Sequence, residues 1–461
     1  MKKYDVIVVG GGFGGLVAAA LLAKLGKRVI LLEKERDLGG RTRSIHHEGY
    51  TINLGPHLIE DSGSGICKIY EFLGKKIEVG AVSDALPVYV DTKWKPIGEL
   101  YKGNKEELKS LIRELIATDY SEFDKYDHLP LRTWLLERKA SQGVIDLFEF
   151  VAMLEQLTDE WYDHSASENL YVRKMHYQEK GMAGYSFWPK GGYEKLFQEL
   201  KEVITQHAGV VRTETQVSRI LIDKGKVEGV LAQPCRQDLP NEYVGEEVLE
   251  SSIVISTLPV WSVLDIVPPG ALPDWYVDII RNIAQHKNKA CWIGIYAASE
   301  KPIVAKSEME LTAWFKTPRT GLAGFSFSNS NYDPTVAPEG KHLFVCGFAC
   351  KAEQISNKTW LSKMFKNIQA DLEDMFPPFK KTLWRKNYTV FEPAFGILGK
   401  PGLCGSFRPD FVASNIADLY FVSDTFRGRG IGIDKVARTA LSCVERIQGK
   451  KIPFFENSWR Y

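Results

Sequence analysis

Gly10-Gly11-Gly12-Phe13-Gly14-Gly15 follows directly on the apolar run at residues 4–9, YDVIVV, and precedes LVAAALLAKLG, which ends at Gly26. A short β-rich run that passes through glycine into an alanine- and leucine-rich segment predicts a buried parallel strand, a tight turn and a packed helix. A second β-rich run, residues 28–32, ends at Glu33. The opening of the chain is therefore predicted to form a βαβ unit, and few local patterns restrict a fold as strongly.

The glycines fit G-x-G-x-x-G on Gly10, Gly12 and Gly15. The first permits the sharp turn, the second lets the backbone approach a pyrophosphate, and the third lets helix and strand pack closely. Phosphates then lie at the helix start, at Phe13 and Gly14, where free N–H groups and the helix dipole favour negative charge. Glu33 stands 18 residues beyond Gly15, at the strand end, placed to accept hydrogen bonds from a ribose diol. Its charge disfavours a 2′-phosphate there, a preference softened by Lys34 and Arg36. An adenine dinucleotide is the expected ligand.

The stretch after Glu33 is more particular. Residues 37–44 read DLGGRTRS and residues 49–59 read GYTINLGPHLI. They resemble the flavin amine oxidase and phytoene desaturase superfamily, whose members carry a Gly-Gly-Arg step after the ribose-binding acid. A G-x-x-x-D-x-G-P segment, or one like it, then runs under the flavin. Gly39, Gly40 and Arg41 match the first element, and Gly55 with Pro56 match the second; Asn53 stands where many members have Asp. A plain NAD dehydrogenase has no reason for the Gly-Gly-Arg step. The resemblance implies FAD as cofactor, with Gly40, Arg41, Gly55, Pro56 and His57 along it.

It also implies the architecture: α/β, with a Rossmann-like FAD-binding domain of the GR2 type and a discontinuous mixed α+β substrate domain. Residues 1–60, 187–259 and 390–450 would form the first, and residues 61–186 and 260–389 the second. FWPKGGY at 187–193 is similar to the family's Pro-x-Gly-Gly turn, which returns the chain to the flavin domain, and a helix follows over 194–207. Residues 210–232 alternate and turn at 223–225, predicting a strand and a hairpin. By resemblance, Val217 there holds the adenine through its backbone. IVISTL at 253–258 is another buried strand before Pro259. Near the C-terminus, DLYFVSD at 418–424 runs into a glycine-rich loop and a helix over 433–447. By resemblance, Asp424 contacts the ribityl or pyrophosphate region, while Gly432 and Ile433 offer N–H groups to the flavin N1–C2=O edge. Ser423 replaces the family's usual Gly, and Arg427 and Arg429 stand where many desaturases have Pro and Gly.

Bulk properties are those expected of a soluble globular protein. At 461 residues two domains are expected. A charged fraction of 25% and 59 Lys plus Arg against 58 Asp plus Glu leave no strong field, so nucleic acid is not an expected partner. Seven cysteines, an odd number and scattered, fit a reducing compartment rather than a disulfide framework. Cys346 and Cys350 lack the second pair that structural zinc needs, so no metal is expected. No leader with a cleavage site follows Met1, no apolar run reaches spanning length, and a cytoplasmic location is the expectation.

The middle of the chain predicts helices at Gly65–Leu73, Lys105–Ala117 and 131–157, rich in Trp, Tyr and Phe. The last of these is expected to be buried, with a substrate channel or a peripheral membrane contact left open. Strands are predicted at 290–297, 321–328 and 342–348. By resemblance to amine oxidases, Lys289 holds a water against flavin N5, with Lys287 an equal match and a solvated strand end the alternative. His57 is the best polar candidate beside the flavin, unless it holds the Gly55–Pro56 turn. The resemblance implies hydride transfer from a small-molecule substrate to flavin N5, then reoxidation by oxygen, a quinone or an electron-transfer protein. The leading expectation is a dehydrogenase or desaturase acting on an apolar or alicyclic substrate. An amine oxidase is the alternative, predicting peroxide release and an aromatic cage that no motif reveals. A non-redox flavin mutase is the third, requiring arginines such as Arg173, Arg319 and Arg408 to grip a pyrophosphate.

Overall fold

The computed structural model describes residues 3–60, 65–81, 86–156, 163–179, 186–235, 245–305, 311–390, 396–430 and 432–455. Among them, five parallel strands lie in the order Val210–Arg212, Val29–Leu32, Val6–Val9, Val254–Ser256, Leu419–Phe421. Their continuous apolar sequence follows from cover on both faces. Val6, Val8, Val29 and Leu31 pack into one core with the helix Phe13–Lys24, while Ile7, Val9, Ile30 and Leu32 pack into another on the opposite face. That helix is buried from Phe13 to Ala23 because the helices Gly192–Gln206 and Gly432–Gln448 both lie against it. Its alanines at 18–20 keep it slim enough to fit. A hairpin of Thr215–Asp223 and Lys226–Pro234, extended by Glu247–Ser251 and Lys3–Tyr4, adds a four-stranded sheet whose Val217, Ile220, Val227, Val230 and Leu249 join the second core.

Seven further strands form the second large sheet, in the order Thr382–Val390, Cys291–Ser299, His342–Cys350, Gly324–Phe327, Leu311–Trp314, Pro87–Val90, Lys93–Pro96. One face packs on the helix Lys358–Met375 through Ile293, Ile295, Phe344, Phe348, Ile368 and Leu372. The helices Lys105–Ala117, Leu131–Glu137, Gln142–Gln156 and Ala166–Glu179 gather around Leu111, Leu115, Phe123, Trp134, Phe148 and Tyr171. No helix of the described residues is long and apolar enough to cross a membrane.

Several local expectations need correction. Residues 4–9 do not form one strand: Lys3–Tyr4 joins the four-stranded sheet, and Asp5 receives Arg28, before Val6–Val9 enters the parallel sheet. The helix expected over 131–157 is two helices, Leu131–Glu137 and Gln142–Gln156, because Lys139 takes a φ of 57° and turns the chain; its expected last residue, 157, lies outside the described residues. Apolar periodicity continues across such a turn and does not register it. Pro87–Val90, Lys93–Pro96, Leu311–Trp314 and Thr382–Val390 were not expected as strands. Each is short or carries charged residues, so none shows a clean period-two pattern.

Candidate dinucleotide site

In an open α/β sheet, ligands collect where the strand order reverses, outside the carboxyl ends of the strands. From Val6–Val9 the chain steps one way to Val29–Leu32, and its other neighbour is Val254–Ser256. A cavity of about 440 Å³ opens at that point, lined by Val9 and Gly10, Leu32 and Glu33, Thr257, and Val422 at the strand ends.

The glycine turn forms its floor. Gly10 has a φ of 102°, and a Cβ there would lie 2.4 Å from the Thr257 hydroxyl; a Cβ on Gly15 would lie 2.1 Å from the Gly10 carbonyl oxygen. Both positions are closed to any side chain. Gly12 differs, since a Cβ there meets nothing within 4 Å. Packing does not demand glycine at this cap, whose empty side faces the cavity. Gly12 caps the helix Phe13–Lys24 without a side-chain hydrogen bond, and no acid lies in its first turn. An open, uncapped helix N-terminus suits an anionic ligand.

Glu33 is 7% exposed. Its Oε2 accepts the Gly11 N–H at 2.5 Å and its Oε1 accepts the Glu35 N–H at 2.9 Å, which aims the carboxylate along the cavity wall. Val217 is buried in the wall, beside a register shift between Val217 and Arg219.

Arg41 and Asp424, 383 residues apart, form an ion pair across the cavity, with Arg41 Nη1 donating to Asp424 Oδ2 at 3.2 Å. The Ser423 hydroxyl donates to Asp424 Oδ1 at 3.2 Å, so the departure from glycine at 423 helps orient that carboxylate. Gly55 packs where a Cβ would lie 2.6 Å from the Arg41 carbonyl oxygen, which brings the second family-like element beneath the first. The Arg41 guanidinium sits 5.5 Å from the centre of the Trp261 ring, and Lys289 Nζ sits 4.4 Å from it. Lys287 is exposed, whereas Lys289 is half-buried at this wall.

The cavity gathers Gly10, Gly12, Phe13, Gly14, Glu33, Lys34, Gly40, Arg41, Val217, Asp424, Gly432 and Ile433. Gly15, Gly55, Pro56, His57 and Lys289 lie outside the lining. Trp261, Thr257, Ser262, Asp265 and Gln216 line it as well and were not singled out from the sequence. The signal that finds four of them is topological: residues following a parallel strand end at the same rim as Gly10. The Val260 N–H donates to the Thr425 hydroxyl at 2.9 Å, which ties this rim to the C-terminal loop.

Behind that loop lies a buried charge network. Arg429 pairs with Asp124, Asp127 and Glu168 at 2.6, 2.5 and 2.8 Å, linking the loop to the helical insertion. Burial, joined by the Arg408 and Arg429 cations, lowers the Lys435 ammonium to about 8. Arg408 donates to the carbonyls of Leu403, Asp424 and Ile397, and Arg319 is held by Asp371 and Asp374. Arg173, also buried, pairs with His176 Nδ1 at 2.8 Å, so all three arginines considered for gripping a pyrophosphate are engaged within the protein.

His57 lies against the seven-stranded sheet. Its ring is 4.5 Å from Phe327 and 6.4 Å from Trp188, stacked on the latter, and burial lowers it to about 3. On the sheet face turned away from Lys358–Met375, Trp292 packs on Phe325 at 4.9 Å, Phe325 on Phe327 at 4.9 Å, and Tyr296 on Tyr388 at 4.3 Å.

A doubly wound parallel sheet with a dinucleotide cradle, joined to a mixed-sheet domain, defines the class as a dinucleotide-binding oxidoreductase fold. The family of flavin-containing amine oxidoreductases matches residues 13–448, and the chain belongs to it; its cofactor is FAD. The chain is 28% identical over 277 residues to human all-trans-retinol 13,14-reductase, covering 50% of this chain and 44% of that protein. It is 22% identical over 284 residues to phytoene desaturase (neurosporene-forming) of Cereibacter sphaeroides, covering 54% and 52%. The chain spans about half the length of the curated relatives it matches. An oxidoreductase from Methanosarcina mazei shares the fold with a TM-score of 0.75 at 21% identity, covering 97% of this chain and 100% of that one.

Proposed function

We propose that this chain is an FAD-dependent dehydrogenase or desaturase that removes hydride from an apolar or alicyclic substrate and forms a double bond. The observation that carries the reading is the aromatic sheet face of Trp292, Tyr296, Phe325, Phe327 and Tyr388. The strand bearing Trp292 and Tyr296 begins just after Lys289, which touches the cavity wall at Trp261. An apolar molecule that reached these largely buried rings would be held by dispersion and exclusion of water.

Bound FAD supplies the hydride acceptor, and the chain supplies position and electrostatics. In this reading the open helix start at Gly12, Phe13 and Gly14 receives the pyrophosphate, Glu33 accepts from the ribose diol, and Val217 flanks the adenine. Arg41 and Asp424, paired across the cavity, order its middle. Gly432 and Ile433, at the start of the last helix, would offer N–H groups to the far edge of the ring system and favour negative charge there. The buried network around Arg429 holds that helix start against the helical insertion.

A second reading, C–N oxidation with peroxide release, draws on Lys289, whose ammonium lies over the ring of Trp261, a residue of the cavity wall. Anaerobic photoreduction of the FAD-loaded protein, followed by mixing with oxygen or a quinone, separates the two. Sluggish reaction with oxygen and fast reaction with quinone supports the dehydrogenase; stoichiometric peroxide formed at the oxygen-limited rate overturns it.

A further inference from the structure

We propose that Trp261 retains the cofactor: its indole, part of the wall of the dinucleotide cavity, covers bound FAD, and the Lys289 ammonium braces that ring in place. The βαβ cradle supplies the floor at Gly10, Gly12 and Gly14, and retention then depends on what covers the ligand from the side. Trp261 stands on a different element. It follows the strand Val254–Ser256 in a turn closed by the Ser262 N–H, which donates to the Pro259 carbonyl at 2.9 Å. The segment is pinned at both ends. The Val260 N–H donates to the Thr425 hydroxyl at 2.9 Å, and the Ile266 carbonyl accepts the Ile220 N–H at 2.8 Å. The backbone beneath the indole is therefore fixed, whereas the ring packs only partly on the second core and is half-buried at the cavity wall. A planar ring so placed offers a broad dispersion contact to a dinucleotide lying beside it.

Two cations meet that ring from separate parts of the fold. Arg41 Cζ is 5.5 Å and Lys289 Nζ 4.4 Å from its centre, both within the reach of a ring quadrupole. The Arg41 charge is balanced by the buried Asp424 carboxylate. Lys289 precedes the strand Cys291–Ser299 and pairs with Ile397 through its backbone, while the next N–H, of Ala290, donates to the Gly396 carbonyl at 3.1 Å. Gly396 in turn packs on the Arg41–Asp424 pair: a Cβ there would lie 2.8 Å from Asp424 Oδ2 and 3.1 Å from Arg41 Nη1. Indole, ion pair and lysine thus form one contact group. Swinging the ring outward to release the cofactor gives up both cation contacts, which slows release by about tenfold.

The release of radiolabelled FAD from the loaded protein, chased with a large excess of unlabelled FAD, measures this without any substrate. Trp261→Leu is expected to speed release about tenfold, with the thermal midpoint of the apoprotein moved by less than about 3 °C. Trp261→Phe keeps a weaker ring and falls between. Lys289→Met is expected to speed release about threefold when Trp261 is present and to add nothing in Trp261→Leu, because the lysine acts through the ring. An unchanged release rate in Trp261→Leu overturns the inference. So does an acceleration by Lys289→Met that is equal with and without the tryptophan, since the lysine then acts on the cofactor by itself. A large loss of apoprotein stability in Trp261→Leu, with no faster release from Trp261→Phe, makes the indole a core side chain only and overturns it as well. None of these results bears on the dehydrogenase reading, which the reoxidation experiment decides separately.

Discussion

Arg429→Met removes the cation at the centre of the buried network and strands its partners. Asp127 and Glu168 have side chains only 2% and 3% exposed. Asp124, at 44%, is solvated and contributes at most about 1 kcal/mol. Burial pushes both buried carboxyls up; Arg429 overrides this at Asp127, and Lys435 together with Arg429 overrides it at Glu168, so both lie below their ordinary range. Breaking a buried pair by removing one partner costs about 3–5 kcal/mol, because the charge left behind is uncompensated. That is the expected loss in urea-unfolding free energy at pH 7.5, followed by flavin fluorescence and far-ultraviolet dichroism. The sign with pH follows. In the unmodified protein both carboxyls are depressed on folding. Their contribution is present above the unfolded value of about 4 and is lost as pH falls through the folded one. In Arg429→Met the stranded Asp127 loses the cation that lowers it most, so its folded value rises. Acidification from pH 7.5 to 5.5 then narrows the deficit. Adding Asp127→Asn to Arg429→Met removes the stranded charge and is expected to restore about 1–3 kcal/mol. A deficit under about 1 kcal/mol, or one that neither acid nor the second substitution relieves, refutes the reasoning.

Three further outcomes follow from the site. Gly12→Ala places a methyl group in open space, so the apoprotein keeps its melting temperature while FAD affinity falls at least about tenfold; Gly15→Ala collides with the Gly10 carbonyl and fails to give folded protein at all. Calorimetry and flavin titration of the two variants side by side check this. Glu33→Ala removes the acceptor held by the Gly11 and Glu35 N–H groups and is expected to weaken FAD binding by about tenfold or more; unchanged retention on desalting counts heavily against the cofactor geometry. Lys289→Met alters the rate of oxygen reaction of the photoreduced protein by about tenfold, while Lys287→Met, which is exposed, leaves stopped-flow traces unchanged.

Much of the cradle was legible because its requirements are local. A turn closed to side chains at Gly10 and Gly15 writes itself as glycine, and an acid at a strand end writes itself as Glu33. The seven-stranded sheet was only half legible. Cys291–Ser299 and His342–Cys350 are buried along their length and read as strands, but Thr382–Val390 is an edge strand whose residues are all half-buried or exposed, without regular alternation. Its stability comes from pairing with Cys291–Ser299 rather than from its own pattern. Trp261 escaped notice because a tryptophan after a Pro259 turn has no local signature of facing a cavity.

Arg429 looked like a departure within a glycine-rich loop, and only the fold shows what it does. Its partner Asp127 lies 302 residues away, as Arg41 lies 383 residues from Asp424, and no spacing rule links segments so far apart in the chain. The same holds for Arg41 and Trp261. The amino-acid sequence alone determined the βαβ unit, the dinucleotide cradle and the family, because backbone stereochemistry and strand burial act over a few residues. The tertiary structure decided which charges neutralise one another in the dry interior and which aromatic faces meet. Those choices depend on distance through space, to which the order of residues along the chain gives no direct access.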